Sequence, residues 1–135
     1  MTVKMIYELP SAEDYCALRI KAGMTARELK FVQVALPKSL FSVILRHDEK
    51  LIAMGRVIGD LGCHVQVVDI VVDPEFQKQG LGNKIMIEVM NFIRISVPKT
   101  CFVNLFADVN FLYEKFGFVD SVRSKGMYLD WKKFT

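Results

Sequence analysis

The stretch Val71-Val72-Asp73-Pro74-Glu75-Phe76-Gln77-Lys78-Gln79-Gly80-Leu81-Gly82-Asn83-Lys84 decides how this chain is read. A β-branched run beginning at His64 stops at Asp73-Pro74 and reads as a strand. A loop with two glycines follows. It opens a strongly apolar segment, Leu81 to about Ile95, which reads as a helix and is closed by Pro98. Where a loop opens a helix, the first backbone N–H groups have no partner and point outward with the positive end of the helix dipole. Phosphate binds at such places. Glycine lets its oxygens approach the backbone, and Lys78 and Lys84 add charge nearby. Two other phosphate motifs are excluded. A dinucleotide fingerprint needs a third glycine where Ile85 stands, and a P-loop needs Gly-Lys-Ser/Thr where this chain has Gly82-Asn83-Lys84-Ile85.

Downstream, Cys101 to Phe106 reads as a strand, so His64 to Phe106 forms a parallel, right-handed β-α-β unit. A short helix over Val109 to Phe116 and two final strands, Phe118 to Val122 and Gly126 to Trp131, complete the chain. Upstream, Thr2 to Leu9 reads as a first strand stopped by Pro10. Ser11 is an N-cap for a helix to about Lys21. Thr25 with Glu28 spells a capping box for a second helix ending before Pro37. Leu40 to Arg46 and Leu51 to Ile58 are strands joined by the polar turn at residues 47–50, an antiparallel hairpin. The natural packing is a mixed α/β sheet with helices on both faces.

The 135 residues make one domain, 1–135, with enough chain for a real core. No apolar run reaches the ~18–20 residues of a membrane span, and the N-terminus lacks the regions of a signal peptide. The reading is a cytoplasmic protein that binds neither membrane nor nucleic acid. The net charge of +3 is dispersed rather than gathered into a basic stripe, and it suits an anionic cofactor. Cys16, Cys63 and Cys101 are widely spaced, with no Cys-x-x-Cys and no Cys/His cluster. Reduced, mostly buried thiols are expected, without a disulfide framework or a metal site.

At Gln77-x-x-Gly80-x-Gly82 the chain resembles the GNAT superfamily of N-acetyltransferases, whose signature is Gln/Arg-x-x-Gly-x-Gly/Ala. Val72-Asp73-Pro74 fits it, as does Leu112-Tyr113-Glu114-Lys115-Phe116-Gly117-Phe118, similar to the superfamily's Tyr box. The resemblance covers nearly the whole chain. It implies a mostly antiparallel sheet with a splayed central parallel pair. It implies acetyl-coenzyme A as co-substrate, with no metal. The pantetheine arm would lie in the splay against backbone atoms of Ile70, Val71 and Val72. The pyrophosphate would sit on the loop of Gln77, Lys78, Gln79, Gly80, Leu81, Gly82 and Asn83. A neutral amine would attack the thioester directly, a backbone N–H near Val71 or Val72 would hold the oxyanion, and Tyr113 would protonate the departing thiolate. The Asn usual seven residues before the Tyr is Phe106 here, and Asn110 is the candidate to replace its cofactor contact.

Asp69 is the polar residue of most interest. A free carboxylate within Val67 to Val72 is costly to bury unless paired. One reading makes it a counter-ion or base for the substrate ammonium, whose pKa is about 10. The other makes it a structural partner of Arg56. His64 is a lesser base candidate at a strand end, and Cys101 reads as core rather than nucleophile. For the acceptor wall the candidates are Met24, in the apolar segment Ala22-Gly23-Met24-Thr25, with Phe31 and Tyr128. Segments such as Gly55-Arg56-Val57-Ile58-Gly59-Asp60 and Gly126-Met127-Tyr128 resemble small GNATs similar to serotonin and arylalkylamine N-acetyltransferases. That favours a small primary amine as acceptor. Protein or peptide acetylation, or a non-catalytic coenzyme A-binding module, are the alternatives, and a homodimer fits the superfamily.

Overall fold

The computed structural model describes residues 2–108 and 110–134, the side chains of residues 110 and 111 excepted. In chain order the elements are β1 (Lys4–Ile6), α1 (Ala12–Lys21), α2 (Leu29–Ala35), β2 (Phe41–His47), β3 (Lys50–Gly59), β4 (His64–Val72), α3 (Leu81–Ser96), β5 (Phe102–Asn104) and α4 (Asn110–Glu114). The sheet order is β1-β2-β3-β4-β5. The first three pairings are antiparallel, and β4 with β5 is parallel.

Local chemistry sets the boundaries. The Ser11 hydroxyl accepts the Asp14 N–H at 3.1 Å and starts α1. In the β2–β3 hairpin His47 pairs with Lys50, and Asp48 and Glu49 between them both have positive φ, 47° and 67°. That is the turn geometry whose twist matches two right-twisted strands. On α3, Leu81, Ile85, Met86, Val89 and Ile93 are buried, a stripe at helical spacing. They pack with Val43, Ile52, Val57, Val65 and Val67 on one face of the sheet. Tyr15 and Leu18 of α1, with Val32 of α2 and Leu36, pack on the other face against Ile44, Met54 and Val71. Helices therefore cover both faces.

Three expectations need correction. The Thr25–Glu28 capping box does not form, and α2 starts at Leu29 with no side-chain cap. The Thr25 carbonyl instead accepts two bonds from Arg19, at 3.0 and 2.8 Å, which pins this loop to α1. The two final strands are absent among the described residues. A new strand there would have to pair with β5, only three residues long. Val119, Val122, Met127 and Tyr128 are each more than four-fifths exposed, and residues 119–131 bury no face. The parallel pair consequently ends the sheet rather than standing in its middle. Val109, expected in the last helix, lies outside the described residues.

Candidate functional site

The parallel pairing of β4 and β5 is brief. It runs from His64 with Phe102 to Gln66 with Asn104, while β4 continues six residues further. Beyond Gln66 the flank of β4 facing β5 is open, and a cleft of about 630 Å3 occupies the gap. Its walls are Val67 to Ile70 of β4, Leu105 and Phe106 after β5, the Ala22–Thr25 loop after α1, and Tyr113 of α4.

At the lip of the cleft β4 is bulged. Met54 pairs with Val71 and Arg56 with Val68, so Gly55 faces both Asp69 and Ile70. The extra residue moves the following side chains to the other face. Val65 and Val67 pack toward α3, whereas Val71 packs toward α1. Asp69 makes the bend with φ of 56°, a left-handed conformation that Asp tolerates better than most residues. Gly55 makes room opposite. A Cβ built there would come within 2.5 Å of Ile85 Cγ2 and 2.9 Å of Ile70 Cδ1.

Normal alternation would turn Asp69 toward the apolar α3 face. The bulge turns it toward α1, where its side chain is 6% exposed. Oδ1 accepts from Arg19 Nη1 at 2.7 Å. Oδ2 accepts from Tyr15 Oη and from Arg56 Nε, both at 2.8 Å. Arg19 and Tyr15 escape a reading of motifs, because they lie 50 and 54 positions from Asp69. One signal marks them: they sit four residues apart on one helix face beside Leu18, where an arginine among buried residues demands a partner. Arg27 is another lining residue that the motifs do not flag.

Tyr113 is buried, 8% exposed, and lines the cleft. Burial and the nearby negative charge of Asp108 push its pKa above the ordinary phenol value, so it is a protonated donor at neutral pH. The glycine loop adjoins it. Gly80, φ 76°, is the residue before α3, and the first bond back into the loop runs from the Lys84 N–H to the Gly80 carbonyl. The Gly82 Cα faces Leu112 Cδ2 and Val72 Cγ2, each within 4 Å of a Cβ placed there. Gln77 Nε2 donates to the Val72 carbonyl at 3.2 Å and ties the loop to the end of β4. Lys78 also has positive φ, 63°. The cleft, the loop and the Tyr box thus share one end of the sheet.

Residues 38–120 match the model of the acetyltransferase (GNAT) domain family. The chain belongs to the GNAT acetyltransferases. It is an acyl-CoA-dependent N-acetyltransferase by family and by its relatives. The uncharacterized N-acetyltransferase ycf52 of Porphyra purpurea is 34% identical over 130 residues, covering 91% of this chain and 70% of that protein. The probable acetyltransferase SA2161 of Staphylococcus aureus is 43% identical with a TM-score of 0.91, over 96% of this GNAT and 99% of that chain. A predicted acetyltransferase of Clostridium acetobutylicum, whose structure includes acetyl-CoA, shares the fold alone. It is 15% identical with a TM-score of 0.69, over 93% of this chain and 96% of its own.

The other site candidates of this GNAT are dispersed. Met24 lines the cleft. Phe31 is 60% exposed and lines a second cavity. Tyr128 is 86% exposed in the tail. The Asn110 side chain lies outside the described residues. His64 is exposed at the start of β4, on the far side of the β4–β5 pairing from the cleft. The thiols are less buried than expected: Cys63 is exposed, and Cys16 and Cys101 are half-buried. Cys101 packs at the edge of the α3-side core. Among the described residues no helix is long and apolar enough to cross a membrane, and no group of three or more metal-ligating side chains is found.

Proposed function

We propose that this GNAT transfers acetyl from acetyl-CoA to a small primary amine bound in the cleft between β4 and β5. The observation that carries the reading is the open flank of β4 beside Tyr113, with the glycine loop at the same end. An extended pantetheine arm suits the flank of β4 away from β3, over Ile70 to Val72, as an added strand. Residues 77–83 offer the pyrophosphate backbone N–H groups, with Lys78 beside them. A cleft of about 630 Å3 is the size of a small-molecule site, which favours a small amine over a protein chain.

In this reading the neutral amine attacks the thioester carbon. A backbone N–H just past the bulge donates to the oxyanion. The C–S bond breaks, the Tyr113 hydroxyl gives its proton to the thiolate, and the proton shed by the amine restores the phenol through water. Asp69 is assigned to positioning. Both its oxygens are taken by Arg19, Tyr15 and Arg56, so it holds the bulge rather than receiving the ammonium proton. Met24 belongs to the acceptor wall. A homodimer and a cytoplasmic location are parts of the same proposal. Apolar tail residues such as Val122, Met127 and Trp131 are exposed and favour self-association, and three free thiols suit a reducing compartment.

The test is thiol release from acetyl-CoA with a panel of primary amines and lysine peptides, beside thermal melts with acetyl-CoA. The reading expects a raised Tm and turnover with amines of low mass. Turnover confined to peptides would replace the small-amine acceptor. An unchanged Tm at saturating acetyl-CoA would remove the cofactor assignment.

A further inference from the structure

A second cavity, of about 360 Å3, lies beside the acetyl cleft, and Arg27 lines both. Its wall is apolar: Phe31, Val32, Ala35 and Leu36, with the ring of Tyr15. Arg56 closes it from the sheet and is only 9% exposed. Arg56 Nε is spent on Asp69, and Nη1 donates to Ser39 Oγ at 3.0 Å. Nη2 has no hydrogen-bond partner among the described residues. Every fully buried side-chain nitrogen and oxygen among those residues is bonded, so Nη2 is not sealed off, and Arg56 lines this cavity. A guanidinium only donates. A nine-tenths buried arginine with an unused donor beside an apolar cavity lacks an acceptor, which an organic anion would provide.

The charges agree. Asp69 is one carboxylate shared by Arg19 and Arg56, which leaves an excess of positive charge at this wall. Among the residues that line the cavity, Arg27 and Arg56 are accompanied by a single carboxylate, that of Glu28, exposed just before α2. Lys30 adds another cation, with its Nζ 5.1 Å from the centre of the Phe31 ring. An ammonium group has no place here, whereas the larger cleft holds Tyr113 and Asp108.

We propose that this cavity binds the remote anionic end of the acceptor: a primary amine joined through a short apolar body to a carboxylate or phosphate, read by Arg56 and Arg27. The proposal rests on the small-amine reading and narrows it. Three probes share one body: benzylamine, para-aminomethylbenzoate and the matching phosphonate. Thiol release should show kcat/KM for at least one anionic amine about tenfold or more above benzylamine, the value of one charge-assisted hydrogen bond. Arg27 is exposed, so Arg27→Gln should fold, as an unchanged acetyl-CoA-dependent Tm shift would verify. It should reduce the preference to within about threefold, and Arg27→Lys should restore part of it. Preference for the carboxylate or the phosphonate names the anion. Benzylamine turned over as well as both anionic amines, or a preference that survives in Arg27→Gln, would overturn the proposal. A parallel binding measurement uses para-toluate, which has the body and the anion but no amine. If para-toluate binds in an Arg27-dependent way while no amine is acetylated, the anion site stands and the small-amine reading falls. If para-toluate fails to bind while amines are acetylated, the reading stands and this proposal falls.

Discussion

At the scale of single residues, the proposed mechanism divides the work of the site between Tyr113, for chemistry, and Asp69, for support. Burial and Asp108 keep the Tyr113 phenol protonated, the form a departing thiolate needs. Tyr113→Phe removes only the hydroxyl, so acetyl-CoA should bind as before while turnover falls about 10²–10⁴-fold. Rapid-quench measurement of the chemical step checks this, and an unchanged rate would return Tyr113 to a packing role. Asp69→Asn keeps the shape and removes the charge that Arg19 and Arg56 share at 2.7 and 2.8 Å. Stranding buried guanidinium charge typically costs ~3–5 kcal/mol, so chemical denaturation should show a loss of that order. A proton acceptor would give the opposite pattern, normal stability with collapsed amine kinetics. The place of Tyr113 beside the cleft was legible because it belongs to a local box of residues. The need for a partner to Asp69 was legible from its apolar neighbours, and Arg56 was foreseen as one. Arg19 and Tyr15 were not, since a contact across fifty positions leaves no trace in local spacing.

At the scale of elements, the bulge in β4 and the entry to α3 are both built around glycines, for opposite reasons. Gly55 has no room: its absent Cβ lets Ile85 of α3 and Ile70 of the bulge approach the sheet. Gly55→Ala should overpack this contact and cost about 1–3 kcal/mol. It should also lower acetyl-transfer activity in the protein that remains folded, because Ile70 lines the cleft. Wild-type stability by urea titration would mean that α3 gives way freely. Gly80 has open space around its Cα but needs φ of 76°. Gly80→Val is strained there and places a branched side chain on the loop proposed to hold the pyrophosphate, so the acetyl-CoA-dependent rise in Tm should be lost. An undiminished rise would move the pyrophosphate elsewhere. The loop and α3 were legible because glycines, a strand stop and an apolar stripe are local signals. The bulge was not, since Asp69 and Gly55 lie within unbroken strand patterns, and an extra residue shows only in the register of β3 against β4. The two final strands failed for a related reason. Their alternation describes a strand that could pair, while pairing depends on an edge that β5 barely offers.

At the scale of the whole molecule, a second buried carboxylate joins parts that are distant in the chain. The Asp73 side chain is 1% exposed. Its Oδ2 receives Lys21 Nζ, from the last residue of α1, at 2.8 Å, and lies 3.5 Å from Lys50 Nζ at the start of β3. Its Oδ1 accepts the Glu75 N–H at 2.9 Å. Lys21 also pairs with the Glu75 carboxylate. The end of α1, the β2–β3 hairpin and the end of β4 are therefore held at one point, from which the glycine loop departs. Burial by itself would raise the Asp73 pKa. The Lys21 bond, the Glu75 N–H and the charges of Lys21 and Lys50 outweigh it, so the pKa lies below the usual carboxylate range. Glu75 is lowered in the same direction, first by Lys21. A carboxylate with a depressed pKa in the folded state stabilises above its unfolded value, about 3.9 for Asp. It loses that contribution as the pH falls through the lower folded value. Thermal melts should accordingly be level from neutral pH down to about 5 and decline below about 4. Lys21→Met removes the main cation while leaving Asp73 buried, so the desolvation it opposed should lift the carboxylate pKa. The acid limb of the Tm profile should then begin at higher pH than in the wild type, and the neutral Tm should fall. Parallel profiles for the two proteins, separated by a constant offset, would show that Lys21 contributes packing and not charge at this junction.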